Sequence, residues 1–296
     1  MRRYGDTMIK AVAFVSAALV VFITASLIYF IVSKGLATFF TNGISIKDFL
    51  TGTRWSPEPT SEQATPLVGS LPLISGSVII SLLAVCVSTP LSIIVAVFIT
   101  EIAPAWGRKF IQPTIELLAG IPSVVYGFIG ISVLVPFIRN NFGGQGQGFS
   151  ILAGFLVLSV MILPTIISVS TESLRALPEE WKHASYALGS TRWQTIRMMI
   201  IPAARSGIIT AVVLGLARAF GEALAVQMVI GNVRQIPTSI LDPVITLTSA
   251  ITMDMGYTVM GSLWNNALWS MALILLLISF FFIVSIRMIG RRGSLR

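Results

Sequence analysis

Residues 76–100 read GSVIISLLAVCVSTPLSIIVAVFIT, a run without a single Asp, Glu, Lys or Arg. A helix needs about 20 mostly apolar residues to cross a hydrocarbon core, and this run is long enough. In lipid each backbone N–H and C=O must be satisfied within the segment, so the run reads as a transmembrane α-helix. Five other stretches share its character: 11–33, 111–138, 149–169, 207–231 and 263–286. The expected fold is therefore all-α, a polytopic bundle of six transmembrane helices. It forms one transmembrane unit over 1–296, with the core bundle at 76–290 and neither an internal repeat nor a separate soluble domain.

Composition agrees. The chain is 55% hydrophobic and 11% charged, whereas soluble domains carry about 25% charged residues. That leaves too little polar surface to cover a water-soluble protein of this length. The net charge of +8 would suggest nucleic-acid binding in a soluble chain, but here the cations sit between apolar runs and report topology. With the N-terminus inside, 14 of the 20 Lys and Arg fall on cytoplasmic segments, 5 fall outside, and Arg218 lies within the membrane. Cytoplasmic loops are enriched in Lys and Arg, so both termini are expected in the cytoplasm of a multi-pass cell-membrane protein. Arg2, Arg3 and Lys10 precede the first run as in a signal peptide, but its charge-free length favours a retained first helix. Cys86 is the only cysteine; it reads as a small core residue with no internal disulfide available.

Three outside loops are expected. The longest, 34–75, carries Pro57, Pro59, Pro66 and Pro72 and reads as irregular but partly ordered. Residues 140–148 read as a flexible glycine-rich tip, and 232–262 is semi-apolar with room for a short helix at the interface.

The cytoplasmic stretch 172–205 is punctuated as two helices. Pro178 suits a first helical turn, with Glu179 and Glu180 on the positive end of the dipole. Gly189 suits a C-terminal stop, Ser190 or Thr191 a second N-cap, and the second helix is expected to end near Pro202. Such a pair is either a plain connector or a knob shaped for a partner's groove. His183, the only histidine, reads as a surface or packing residue.

The fifth run is the exceptional one. It contains Leu214-Gly215-Leu216-Ala217-Arg218-Ala219-Phe220-Gly221-Glu222-Ala223. A central arginine costs about 2.5–3.5 kcal/mol on insertion scales, so it is expected to face protein or water. Glu222, four residues on, is expected on the same helical face, within pairing distance. Small residues along this helix allow close approach of neighbours. Two readings stand: a structural ion pair, or a pathway charge for an anion, since a guanidinium fork suits a tetrahedral oxyanion. Glu116, at the inner end of the third run, is a second candidate for the pathway. No Ser–His, paired-Asp or zinc constellation lies in the spans, which disfavours an intramembrane enzyme.

The cytoplasmic stretch is similar to the signature loop of ATP-binding-cassette importer permeases. In the frame His183-Ala184-Ser185, three residues, Gly189, nine residues, Met199-Ile200-Ile201-Pro202, the positions Ala184, Gly189 and Pro202 match, and His183, Ser185, Met199 and Ile201 depart. Three further segments resemble phosphate importer permeases of the PstC type: Leu71-Pro72-Leu73-Ile74-Ser75-Gly76-Ser77; Glu116-Leu117-Leu118-Ala119-Gly120-Ile121-Pro122-Ser123-Val124-Val125-Tyr126-Gly127; and Arg218 to Glu222. The resemblance implies a type I importer permease fold. It implies import of inorganic phosphate, with Arg218, Glu222 and Glu116 on the pathway. Glu179, Glu180, His183, Ala184, Ser185, Gly189 and Pro202 would serve in ATPase coupling. The implied partners are a second related permease, two ATPase subunits and an extracytoplasmic phosphate-binding protein, with no cofactor, metal or nucleic acid. The chain lacks a Gly-x-x-x-x-Gly-Lys-Ser/Thr phosphate loop, consistent with a separate ATPase. Another oxyanion, such as sulfate or molybdate, and a passive anion channel remain as alternatives.

Overall fold

The computed structural model describes residues 2–58, 65–144 and 146–292. Pro59 lies outside them. The first helix, α1 (Arg2–Phe40), is followed by α2 (Ile46–Thr51) and by a hairpin of β1 (Trp55–Ser56) and β2 (Leu67–Val68). Next come α3 (Leu71–Ile102), α4 (Ala105–Gly120), α5 (Ser123–Phe142) and α6 (Ile151–Arg175). The pair expected on the cytoplasmic side is α7 (Glu179–Ala187) and α8 (Arg192–Ala203). After α9 (Arg205–Gly221) and α10 (Leu224–Gln227), α11 (Leu247–Asp254) leads to the last helix, α12 (Leu263–Arg292). Among the described residues, α1, α3, α5, α6 and α12 are long and apolar enough to cross a membrane, and α8 with α9 makes a sixth span bent by 67°.

Two of the expected spans change shape. The run 111–138 is not one helix: α4 ends at Gly120, Ile121 is extended (φ −69, ψ 128), and α5 starts after Pro122. Proline cannot donate its backbone N–H and pushes the preceding residue out of the helical region, so the break falls there. The hydroxyl of Tyr126 donates to the Leu118 carbonyl across the break, at 2.7 Å. The span is thus 123–142, and Glu116 belongs to a separate helix before it. The run 207–231 likewise stops being helical at Gly221.

Prolines shape the remaining helices too. The π-helical turns Phe98–Ile102, Gly130–Leu134 and Ile196–Ile200 each end two residues before a proline: Pro104, Pro136 and Pro202. A proline ring crowds the carbonyl four residues back, and a widened turn relieves that contact.

The main core is the packing of α3 on α6, joined by α9. Ile80, Ala84, Leu158, Met161, Ile162 and Ile166 meet Ala211, Leu216 and Phe220 there. Lipid supplies no hydrophobic drive between helices, so close packing of small residues carries the association. A side chain at Gly215 would come within 2.7 Å of Ile166. Helix α1 leans chiefly on α12: Ser270 Oγ donates to the Gly35 carbonyl at 2.6 Å, and Phe30 meets Trp269 edge-on at 5.0 Å. Cys86, expected in the core, is instead exposed on α3, on a face that a bundle in lipid can leave apolar.

The loops expected outside are more ordered, where described, than their prolines suggest. Phe49, Trp55, Val68 and Leu73 form a second core with Ile245, Leu247, Leu268 and Met271, which fastens α2, the hairpin and α11 to α12. Helix α11 buries Leu247, Ser249 and Ala250 against the bundle. Its loop is anchored by Asp242, whose carboxylate accepts the N–H and hydroxyl of Thr238 and the N–H of Ser239, each at 2.8 Å. Those bonds, that of the Thr238 N–H first, hold the carboxyl below the usual carboxylate range. The anchor is therefore complete above the ordinary carboxylate pKa and weakens only as pH falls through the lowered one. The tip at 140–148 is a defined turn where described: Gly148 has a left-handed φ of 94°, and Arg139 Nε donates to the Gln147 carbonyl at 2.7 Å.

Candidate functional site

Helix α9 carries Arg218 in its last turn, thirteen residues beyond Arg205. At 1.5 Å per residue that places it roughly 20 Å along the helix. The C-terminal carbonyls of a helix carry partial negative charge, which favours a cation in that turn. The opposite side of α9 buries Ala211, Gly215, Leu216, Ala219 and Phe220, while Leu214, Ala217 and Gly221 form an exposed stripe. Arg218 lies beside this stripe and is half-buried.

The structure does not put Glu222 on the helical face of Arg218. Glu222 is extended (φ −75, ψ 129), one residue past the helix end. Its carboxylate turns forward, where Oε1 accepts the backbone N–H of Ala225 at 3.0 Å. A carboxylate in that position satisfies a free N–H at the start of α10 and sits on its positive dipole end. The Glu222 carbonyl accepts the Thr248 hydroxyl at 2.8 Å, so the turn is held from both sides. Among the described residues Arg218 makes no ion pair. Its Nη1 donates instead to Thr165 Oγ1 on α6, at 2.9 Å. Thr165 gave no signal in the sequence, because a threonine in an apolar helix usually bonds its own preceding turn.

Glu222 also borders a cavity of about 10 Å³ with Ser77, Ser81, Thr246 and Thr248, the size that one water needs. Glu116 is elsewhere. It accepts from Gln112 Nε2 at 3.2 Å, and Gln112 in turn accepts from Arg175 Nη2 at 3.0 Å. These groups border a cavity of about 100 Å³ between α4 and the C-terminal end of α6. No hydrogen bond among the described residues joins Glu116 to Arg218 or Glu222.

This geometry separates the two charges energetically. Glu222→Gln keeps an oxygen for the Ala225 N–H and should leave stability nearly unchanged. Glu222→Ala removes the cap, at a cost of about 1 kcal/mol. Combining Glu222→Gln with Arg218→Gln should be additive to within about 0.5 kcal/mol, because among the described residues the two share neither an ion pair nor a hydrogen bond. Denaturation of purified protein in detergent measures all three, and a larger coupling would restore the ion-pair reading.

The helix pair α7–α8 forms as its punctuation implies, with Pro178 just ahead of the first turn as the N-cap. Gly189 takes a left-handed φ of 79°; its N–H donates to the Tyr186 carbonyl, and that of Ser190 to the Ser185 carbonyl. This is the double-bonded helix stop that glycine permits. Thr191 and Gln194 cap α8 reciprocally. Ser185 faces inward and pairs with the Thr195 hydroxyl at 3.0 Å. Glu179, Glu180, His183, Ala184 and Pro202 are exposed, as are the large side chains Trp181, Tyr186, Leu188 and Trp193.

The family model described as "Binding-protein-dependent transport system inner membrane component" matches residues 88–294. The chain is 56% identical over 259 residues to the probable ABC transporter permease protein YqgH of Bacillus subtilis, covering 88% of this chain and 82% of that protein. It is 33% identical over 300 residues to the phosphate transport system permease protein PstC of Mesorhizobium japonicum, covering 95% of this chain and 89% of that protein. Among solved structures, a bacterial ABC transporter for the import of alginate superposes with a TM-score of 0.62 at 15% identity, over 93% of this chain and 95% of that one. The MetNI methionine ABC transporter in an inward-facing conformation gives 0.57 at 17% identity, over 74% and 93%.

Proposed function

This chain belongs to the binding-protein-dependent transport system inner membrane components, and on that premise we propose that it is one permease subunit of an ATP-driven importer of inorganic phosphate. It has the fold of the type I importer permeases and is an ABC importer permease, a transport component and not an enzyme. The observation that carries the phosphate reading is the state of Arg218. Its guanidinium lies deep in a span, is half-buried, and is held by one hydroxyl with no ion pair among the described residues. A guanidinium has five N–H donors in a fixed fork. One is used on Thr165, which leaves donors for two oxygens of a tetrahedral anion. PstC relatives at 33–34% identity support phosphate as that anion.

The partners follow from uncovered surface. The stripe Leu214, Ala217 and Gly221, with Leu117, Val124 and Phe128 on α4 and α5, is exposed in the single chain. Exposed apolar area of this kind suits a second, related permease, with the pathway between the two. The cytoplasmic element, with exposed Glu179, Glu180, Trp181 and His183, would seat in one of two ATPase subunits. An extracytoplasmic phosphate-binding protein would deliver to the cap formed by α2, the hairpin and α11, with both termini of this chain cytoplasmic. Glu222 is assigned to the outer edge of the pathway and Glu116 to its inner end.

The test is uptake of labelled phosphate into cells or proteoliposomes that carry the complete complex. Excess unlabelled phosphate should abolish labelled uptake, while equal sulfate or molybdate should leave most of it. Depleting ATP should stop it. Suppression by sulfate as strong as by phosphate would move the assignment to another oxyanion, and uptake that survives ATP depletion would make the pathway a channel.

A further inference from the structure

Helix α7 is the more exposed half of the cytoplasmic element, and it buries no residue at all. Its partner α8 is packed: Ile196 and Ile200 sit in an apolar cluster with Ala96 and Val97 of α3 and Leu174 of α6. Besides the Ser185–Thr195 bond to its own partner α8, α7 has one polar side-chain bond to another helix among the described residues. Lys182 Nζ donates to Glu101 Oε1 at 2.7 Å. The side chain of Glu101 is 8% exposed and that of Lys182 22%. Removing the one partner of a nearly buried carboxylate leaves its charge uncompensated, which is costly.

Glu101 lies in the π-helical turn that ends α3, a widened turn ahead of Pro104. The same corner is held by Arg108, which donates to the carbonyls of Thr100 and Ala103 at 3.1 and 3.0 Å. Twenty-four residues earlier, at the outer end of α3, Ser77 Oγ accepts the Leu247 N–H at 2.8 Å. The next residue, Thr248, holds the Glu222 carbonyl. Helix α3 is thus a rod, about 36 Å from Ser77 to Glu101 at 1.5 Å per residue. One end is tied to the cytoplasmic knob and the other to the loop that fixes the Glu222 turn.

We propose that the Lys182–Glu101 ion pair is the strut through which motion of α7 is passed to α3, and through α3 to the Glu222 turn. Lys182 and Glu101 are positioning residues; neither touches the transported ion. Apolar contact lets helices slide past one another at little cost, whereas a charge-assisted bond to a nearly buried carboxylate resists separation. The inference rests on the importer reading and not on phosphate as the substrate.

The experiment uses the full complex in proteoliposomes. Three readings are taken: ATP hydrolysis, labelled phosphate uptake, and maleimide labelling of Leu71→Cys, on a Cys86→Ser background, with and without ATP plus vanadate. With Lys182→Met, ATPase subunits should stay bound and ATP should still be hydrolysed. Uptake per ATP should fall about fivefold, in the usual range of energetic coupling between sites, and the nucleotide-dependent change in labelling should vanish. Lys182→Arg should behave as wild type, and the exchange Lys182→Glu with Glu101→Lys should recover a large part of both. If Lys182→Met fails to assemble, Glu101→Gln is read instead, since the charge it leaves unpaired is the more exposed lysine and not the nearly buried carboxylate. Wild-type uptake per ATP and wild-type labelling in either variant would overturn the strut. If the intact complex shows nucleotide-driven labelling that depends on Lys182 but takes up no phosphate, the strut stands and the phosphate reading falls.

Discussion

Arg218→Gln is expected to lower phosphate uptake about a hundredfold or more while leaving the protein at its normal level in the membrane. Hydrogen bonds to charged groups contribute about 1.5–3 kcal/mol each, and a two-oxygen contact loses both when the guanidinium goes. Each 1.4 kcal/mol is a factor of ten, so two such bonds suffice for the predicted loss. The folded chain loses little. Arg218 makes one hydrogen bond, to Thr165, and a glutamine amide can still donate there. Removing a central arginine also removes an insertion cost of about 2.5–3.5 kcal/mol. The variant should therefore be at least as stable to heat as the parent and nearly inactive, a combination that a structural role does not produce. Arg218→Lys keeps the charge but loses the planar fork, and a partial loss of roughly tenfold is expected, on the order of one charge-assisted bond. Thr165→Val tests the holder: uptake should fall by less than Arg218→Gln causes, since the guanidinium is then present but unaimed. Wild-type phosphate uptake by Arg218→Gln at normal abundance would end the pathway assignment.

The sequence made the bundle legible because its solvent is uniform. Charge-free runs such as 76–100 have to be helices in lipid, and that constraint needs no knowledge of tertiary packing. Punctuation of the cytoplasmic element was equally plain, since Gly189 and Thr191 act on their own neighbours. Breaks inside apolar runs were harder to see. Pro122 ends a helix while Pro90 and Pro164 are accommodated inside α3 and α6, and the difference lies in neighbouring contacts. Arg218 and Glu222 show the same limit. Spacing of four residues implies a shared face only while the helix continues, and here it stops at Gly221 because Glu222 finds better partners in Ala225 and Thr248. The partners that define the site, Thr165 for Arg218 and Glu101 for Lys182, are 53 and 81 residues away in the chain. No local pattern encodes such distances.

Gly76→Val is expected to disrupt the outer half of the subunit as thoroughly as Arg218→Gln disrupts transport. A side chain at Gly76 would fall on the carbonyl oxygen of Ile245. That atom belongs to backbone, so no rotamer change relieves the collision. The segment around it is confined: Ile245 and Leu247 are fully buried in the second core, the Leu247 N–H is bound by Ser77, and Thr248 holds Glu222. To admit a valine, residues 245–248 must move off α3, which breaks the Ser77 bond and frees the Glu222 turn together. Overpacking a tight core costs about 1–3 kcal/mol, and a buried N–H left without its acceptor adds about 1–3 kcal/mol more. The sum is comparable with the whole stability of many domains. The expected result is a large fall in melting temperature in detergent, low abundance in the membrane, and no uptake. Gly76→Ala should show the same defects in milder form. The comparison is Gly256→Ala, where an added carbon meets nothing within 4 Å; its stability should stay within about 0.5 kcal/mol of the parent. Should Gly76→Val melt and transport like Gly256→Ala, the close seating of the 245–248 segment on α3 would be wrong, and with it the route by which α3 reaches Glu222.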